Sequence, residues 1–348
     1  LFIMGFASLV VAVCGLWPSA VTDAAAASMS HVAWDGFAHH DTIFPLFLFI
    51  AGVSFPYSVA KQRAGGMSEG RIYAKIVRRG LTLVVLGMVY NGLFKLDFEN
   101  LRIASVLGRI GLAWSIAAVL YLNFGVKTRA AIAVAVLAGY GALSALVAAP
   151  DAAGAGPLTF EGNLAGYIDR QFLPGKLIYG SFDPEGLLST VPAVVTAMLG
   201  MFTGEFVRRG DIRGGRKTLW MAAAAAALLA AGLAFSGVLP VNKKLWSSTF
   251  VCVVGAYSLG MFALFYYLID VRGWRRWTLF FRVVGLNSIT IYLAQRIVGF
   301  GRISDFFLGG IASKCPEAVA AVISSAGYVA VCWLFLYFLY RKNVFLKV

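Results

Sequence analysis

Apolar runs recur along the chain, each near the length that crosses a bilayer, and short polar segments rich in Lys and Arg separate them. A hydrocarbon core of about 30 Å takes about 20 residues of helix. Ten spans are predicted: Leu1–Trp17, Ile43–Ala60, Val77–Phe94, Ala104–Asn123, Ala130–Ala149, Leu187–Val207, Leu219–Leu239, Trp246–Ile269, Leu279–Phe300 and Ala318–Tyr340. The first run opens on Leu1 without the basic start of a signal peptide, and it is short for a span. It reads as a membrane helix whose beginning precedes the numbering. Pro150–Gly186 is the one long connection, within which Asn163–Leu173 reads as a short interfacial helix. A connection of that length is expected to cover a site.

The cations alternate between the two sets of connections. Twenty fall in Lys61–Arg79, Lys127–Arg129, Arg208–Lys217, Arg272–Arg282 and the tail Arg341–Lys347, against nine in the other set. Basic loops stay in the cytoplasm, so both termini are predicted there, with the 150–186 loop on the opposite side.

Composition narrows the class. Of 348 residues, 60% are apolar and 13% charged. Soluble domains carry about 45–50% and about 25%. This excludes a soluble enzyme, a disordered chain and a nucleic-acid-binding domain. The net charge of +14 is then a record of topology, and the partner it implies is the lipid bilayer. Cys14, Cys252, Cys332 and Cys315 read as unpaired thiols. The expected fold is an all-α polytopic membrane protein of about ten transmembrane helices, a single domain over residues 1–348.

Candidate chemistry concentrates on the outer side. All three histidines, His31, His39 and His40, lie in the loop Pro18–Thr42, which holds Asp23, Asp35 and Asp41 and no Lys or Arg. Histidine exchanges a proton near neutrality; three solvated loop residues are the plain alternative. No His/Cys spacing of a zinc site occurs, and no metal is expected. Twelve of the sixteen acids map outside, with Trp34, Tyr167, Phe172, Tyr179 and Phe182, a mixture suited to an amine-bearing sugar. Arg109 stands at membrane depth, where charge is costly, and is either a ligand-orienting group or a structural ion pair. Asn287 and Tyr292 open or line the ninth span, while Asn91 reads as structural. On the inner side Arg71, Lys75, Arg78 and Arg79 recur at helical spacing as a basic stripe. Such a stripe serves as a membrane anchor or holds phosphates.

Five ordered motifs carry a resemblance. They are His31-Val-Ala-Trp34-Asp35-Gly36 with Asp41-Thr-Ile-Phe44-Pro45, Arg102-Ile…Leu107-Gly-Arg109-Ile, Asp183-Pro-Glu185-Gly186, Pro240-Val-Asn242-Lys243-Lys244-Leu-Trp246, and Gly285-Leu-Asn287-Ser-Ile. Together they resemble the heparan-α-glucosaminide N-acetyltransferases and their bacterial relatives. The resemblance implies a transmembrane acyltransferase that takes an acetyl group from cytoplasmic acetyl-CoA. It passes that group to the amine of a glucosamine-type sugar on the periplasmic side of a bacterial inner membrane. The family's active-site histidine falls on His31. Human-type members carry a functional Asn ahead of it, and this chain has none before Asn91.

From this follow the expected roles. His31 is a general base with Asp41 fixing its tautomer, or accepts the acetyl group itself. Asn287 and Arg109 are donors to the oxyanion. Arg109, Arg71, Lys75, Arg78 and Arg79 bind acetyl-CoA. Trp34, Asp183, Glu185, Asn242, Lys243 and Trp246 bind the acceptor sugar. A homodimer stays open, as do two other functions: an amino-sugar permease, and an acyltransferase for another envelope glycan.

Overall fold

The computed structural model describes residues 2–346. Leu1 and Lys347, which belong to the expected first span and basic tail, lie outside them. The described chain forms helices and no strand. In order these are α1 (Phe6–Cys14), α2 (Ala20–Ala27), α3 (Ile43–Ala64), α4 (Glu69–Tyr90), α5 (Val106–Asn123), α6 (Val126–Leu146) and α7 (Leu164–Phe172). There follow α8 (Leu187–Val207), α9 (Gly214–Ala234), α10 (Ser248–Tyr266), α11 (Thr278–Leu286), α12 (Ser288–Ile297), α13 (Phe300–Ala312) and α14 (Glu317–Arg341).

Seven of the ten expected spans are helices long and apolar enough to cross a membrane: α3, α5, α6, α8, α9, α10 and α14. The other three are built differently. α4 begins eight residues before the expected span, and its first half carries Glu69, Arg71, Lys75, Arg78 and Arg79. The first span is reduced to the nine residues of α1. The ninth is broken at Asn287, whose own backbone leaves the helical region. Asparagine competes for the backbone's hydrogen bonds: here its Nδ2 donates to Val344 O (3.2 Å) and its Oδ1 accepts from Thr290 (3.1 Å). Two helices were not expected at all. α2 forms in the Ala-rich stretch behind a Ser19–Thr22 capping box. α13 forms from residues that read as connection.

The chain divides into two compact units. The larger comprises Ala33–Phe37 and Phe44–Arg272. Its axis is α8, with 72% of its most apolar stretch buried. Leu48, Phe55, Trp114, Phe250 and Val254 pack around it, against its own Met198. α3 and α8 meet backbone to backbone: a Cβ on Gly200 would lie 2.0 Å from Phe49 O, one on Gly204 2.2 Å from Val53 O, and one on Gly52 2.2 Å from Ala197 O. Small residues let membrane helices approach closely where lipid offers no hydrophobic drive. Gly200→Val is therefore expected to abolish a monodisperse, folded peak in size-exclusion chromatography, whereas Gly139→Val, with open space around its Cβ, leaves it intact.

The smaller unit comprises the chain through Val32, Ala38–Ile43 and the chain from Gly273 onward. α1, α11 and α13 pack along α14. The core is Met4, Val283, Ile291, Phe300, Cys332 and Leu336. Between α12 and α13 the chain breaks at Val298–Gly299. Phe300 there packs on Tyr328 and Phe335 (ring centroids 6.5 and 5.4 Å), near the middle of α14. Gln295 of α12 donates to Ile3 O ahead of α1.

Candidate functional site

In the smaller unit, His31 and Asp41 form a dyad. His31 Nδ1 lies 2.7 Å from Asp41 Oδ1, with the imidazole 51% exposed and the carboxylate 3%. Asp41 belongs to a short 3-10 turn, His39–Thr42. The turn runs into α3, where Pro45 falls in the first helical turn and costs no hydrogen bond. The turn closes on itself. Ala38 N donates to Asp41 Oδ2 (3.1 Å), and Thr42 Oγ1 to His39 O (2.7 Å). An ionised carboxylate only accepts. The 2.7 Å contact is the one a neutral imidazole makes by donating an Nδ1 proton to an ionised carboxylate. The rings of His31 and His40 stand 4.3 Å apart, and Phe2 packs on His39 and His40.

The larger unit gathers most of the other expected residues at the helix ends joined by its longer loops. Ser105 caps α5 by accepting from Gly108 N (2.9 Å) and sets Arg109 one turn in. The Arg109 guanidinium is fully buried. Its Nη2 donates to Ser189 and, at 3.4 Å, to Gly186 O, and it lies 5.0 Å over the Trp246 ring. Nε and Nη1 face no acceptor. Of its two expected roles, a structural ion pair is not what holds it; a hydroxyl, a carbonyl and an indole ring are.

The carboxylates of Asp183 and Glu185 go to Arg102 instead. Nε and Nη2 of Arg102 each reach Asp183 at 2.6 Å, and Nη2 also reaches Glu185. Burial works to lower the Arg102 guanidinium, and these carboxylates outweigh it and hold it above its already high range. Two guanidiniums thus face two carboxylates across the Asp183-Pro-Glu185-Gly186 turn, a neutral set that makes the buried charge of Arg109 tolerable. Asp183, expected to meet the acceptor, is instead fully buried and bonded to Arg102.

A fifth charge sits behind this turn. Asp169 of α7 is wholly buried and accepts from Leu187 N (2.9 Å) and Asp183 N (3.3 Å), capping α8. Its approach explains Gly186, where a Cβ would lie 2.0 Å from Asp169 Oδ2. Burial pushes the Asp169 carboxyl up to about 6, against about 3.9 for a free Asp. A carboxyl that holds its proton more tightly folded than unfolded favours the fold when protonated, so that contribution is lost as pH rises from about 4 to about 6. The Tm of the wild type is expected to fall relative to that of Asp169→Asn as pH is raised from 4 to 7. A constant difference would show that the carboxyl does not titrate in this window.

The Asn242–Trp246 turn completes the group. Asn242 is fully buried; its Nδ2 donates to Asp35 (3.0 Å) and its Oδ1 accepts from Leu245 N (2.9 Å). Trp246, also buried, adopts a left-handed φ of 52°, an uncommon conformation for a bulky residue. Lys244, which follows Lys243 in the motif, donates to Ala33 O and stands 4.5 Å over the Tyr179 ring. Trp34 packs on Phe160 (5.2 Å) and Phe182 (5.7 Å) beside it. Of the other expected aromatics, Phe172 is exposed.

The remaining expectations are met in part. Asn287 lies in the smaller unit, where its Nδ2 donates to Val344 O and its Oδ1 accepts from Thr290. Arg71, Lys75 and Arg78 form one exposed face of α4, but Arg79 turns inward, its guanidinium 4.4 Å over the Trp114 ring. Residues 75 and 79 share a helix row, so spacing alone could not foretell the turn. Arg102, Asp169 and Ser189 were not singled out. Arg102 stood inside a recognised motif, and nothing local marks the other two.

Fold and site together define a polytopic helical membrane protein with a histidine–aspartate dyad and a buried arginine–carboxylate cluster. The profile of the family described as heparan-alpha-glucosaminide N-acetyltransferase, catalytic, matches residues 5–237. The chain belongs to this family. It is 27% identical over 375 residues to the Homo sapiens heparan-alpha-glucosaminide N-acetyltransferase, covering 91% of this chain and 55% of the relative. Against the Mus musculus protein of that name the identity is 26% over 372 residues, covering 91% and 56%. The chain thus spans about half the length of these curated relatives.

Proposed function

We propose that this protein transfers the acetyl group of acetyl-CoA to the amine of a glucosamine-type sugar across the membrane. The observation that carries this reading is the His31–Asp41 pair at 2.7 Å in a chain of this family. In it, residues 1–348 act as a single transmembrane acyltransferase domain in a bacterial inner membrane, with both termini cytoplasmic. The His31 loop and the 150–186 loop, the latter covering the site, face the periplasm.

The sugar's amine attacks the thioester carbonyl only when unprotonated. His31 Nε2 takes the amine proton as the new C–N bond forms, and Asp41 stabilises the imidazolium. The oxyanion collapses, the C–S bond breaks, and His31 returns the proton to the departing thiolate of CoA. The exposed face of Arg71, Lys75 and Arg78 suits the phosphates of acetyl-CoA on the cytoplasmic side. For the acceptor, Trp34, Glu185 and Lys243 keep partial exposure, while Asp183, Asn242 and Trp246 build the wall behind them. The chemistry asks for no metal. A homodimer is compatible with it.

The test is to supply purified protein with isotope-labelled acetyl-CoA and glucosamine and look by mass spectrometry for labelled N-acetylglucosamine. Absence of product from protein that still binds CoA would point to another envelope acceptor. Uptake of unchanged glucosamine into proteoliposomes without acetyl-CoA would replace the reading with a permease.

A further inference from the structure

His31 is half exposed, so burial imposes no single rotamer on it. Two neighbours do. Asp41 engages Nδ1, and on another side stands the ring of His40. The two imidazoles are nearly perpendicular, at 86°, with centroids 4.3 Å apart. Ring pairs usually pack with centroids about 4.5–7 Å apart, so this contact is tight. The edge-to-face contact places the His40 ring directly against the His31 ring that Asp41 engages. His40 is itself braced. Its backbone N donates to Ser28 O (3.0 Å), and its ring meets Phe2 edge-on at 5.9 Å. The next residue in the chain is Asp41, so one turn carries both restraints.

We propose that His40 is a positioning residue for His31. Its ring packs the imidazole into the orientation in which Asp41 holds the Nδ1 proton and Nε2 is left as the base. The activity half of this inference rests on the acetyl-transfer reading; the structural half does not. The motif His-x-x-Trp…Asp-x-x-Phe-Pro leaves position 40 unspecified, so the role belongs to this chain's own residues.

The packing is tested with His40→Ala, which removes the ring, and His40→Phe, which keeps a ring and removes its nitrogens. The chain has three histidines, so a spectrum of protein labelled with ring-15N histidine contains three side chains. His31, assigned by its absence from His31→Ala, is expected as the Nδ1–H tautomer in the wild type and in His40→Phe, and as a mixture of tautomers in His40→Ala. In turnover, His40→Ala is expected to lose about tenfold in kcat, as a small misplacement of a reacting group does, with both KM values nearly unchanged. His40→Phe restores most of the loss. An unchanged tautomer and kcat in His40→Ala would overturn the proposal. So would a His40→Phe protein as impaired as His40→Ala, since the nitrogens would then matter rather than the packing. Should the wild type transfer no acetyl group, the functional reading fails, and the tautomer spectra alone decide for or against positioning. If His40→Ala does not fold, His40→Gln, which also lacks the ring, takes its place.

Discussion

His31→Ala is expected to reduce kcat for acetyl transfer by about 10³-fold, within the range that general acid–base catalysis supplies, while the Tm in detergent stays close to that of the wild type. The imidazole is half exposed and the Asp41 carboxylate keeps its bond from Ala38 N without it, so stability and activity should separate. Asp41→Asn is expected to fall less far in activity and further in stability. The carboxylate is buried and accepts from both His31 and Ala38 N, and an amide can donate toward Nδ1 and place the wrong tautomer in the ring. Full activity in His31→Ala would remove the base from the proposed mechanism. Loss of Tm as large as the loss of kcat would make the dyad a structural pair.

The second large effect is on stability. Arg102→Met is expected to cost about 3–5 kcal/mol, as removal of one partner from a buried ion pair does. Asp183 would then stand fully buried without the guanidinium that takes both its oxygens. Glu185 would lose the same partner, and the negative charge around Arg109 would grow by one. Removing Asp183 as well should recover part of the cost, because the stranded charge goes with it, so Arg102→Met with Asp183→Asn is expected to be more stable than the sum of the two single variants. Chemical or thermal unfolding of the four proteins measures this. Strict additivity would mean that the two side chains do not depend on each other.

Much of the architecture was legible in advance. α8 occupies the predicted Leu187–Val207, and α7, at Leu164–Phe172, is the short helix expected over Asn163–Leu173. The family was legible too, because its motifs are short and ordered along the chain. The misreadings share a cause. The stretch Leu279–Phe300 is apolar enough for one helix, yet Asn287 exchanges helical continuity for bonds to Val344, 57 residues away. Arg79 has the helical spacing of a basic stripe, yet the Trp114 ring draws it inward. Asp183 looks like a ligand for an amine until Arg102, some eighty residues earlier, takes both its oxygens.

The sequence alone determined the class: a helical membrane protein, most of its spans, and a histidine and an aspartate ten residues apart as candidate chemistry. These are local properties. Lipid offers the backbone no hydrogen-bond partner, so every span must satisfy its own within the helix, and a run of apolar residues already declares it. The tertiary structure alone decided which groups pair. It set His40 against the His31 ring. It spent Asp183 on Arg102, capped α8 with Asp169, and buried Arg109 over Trp246. Each of these depends on two residues far apart in the chain meeting at a few ångströms, or on a turn that folds one short segment back on itself. Composition and spacing do not carry that information, because burial and pairing energies belong to pairs of groups in space and not to either residue by itself.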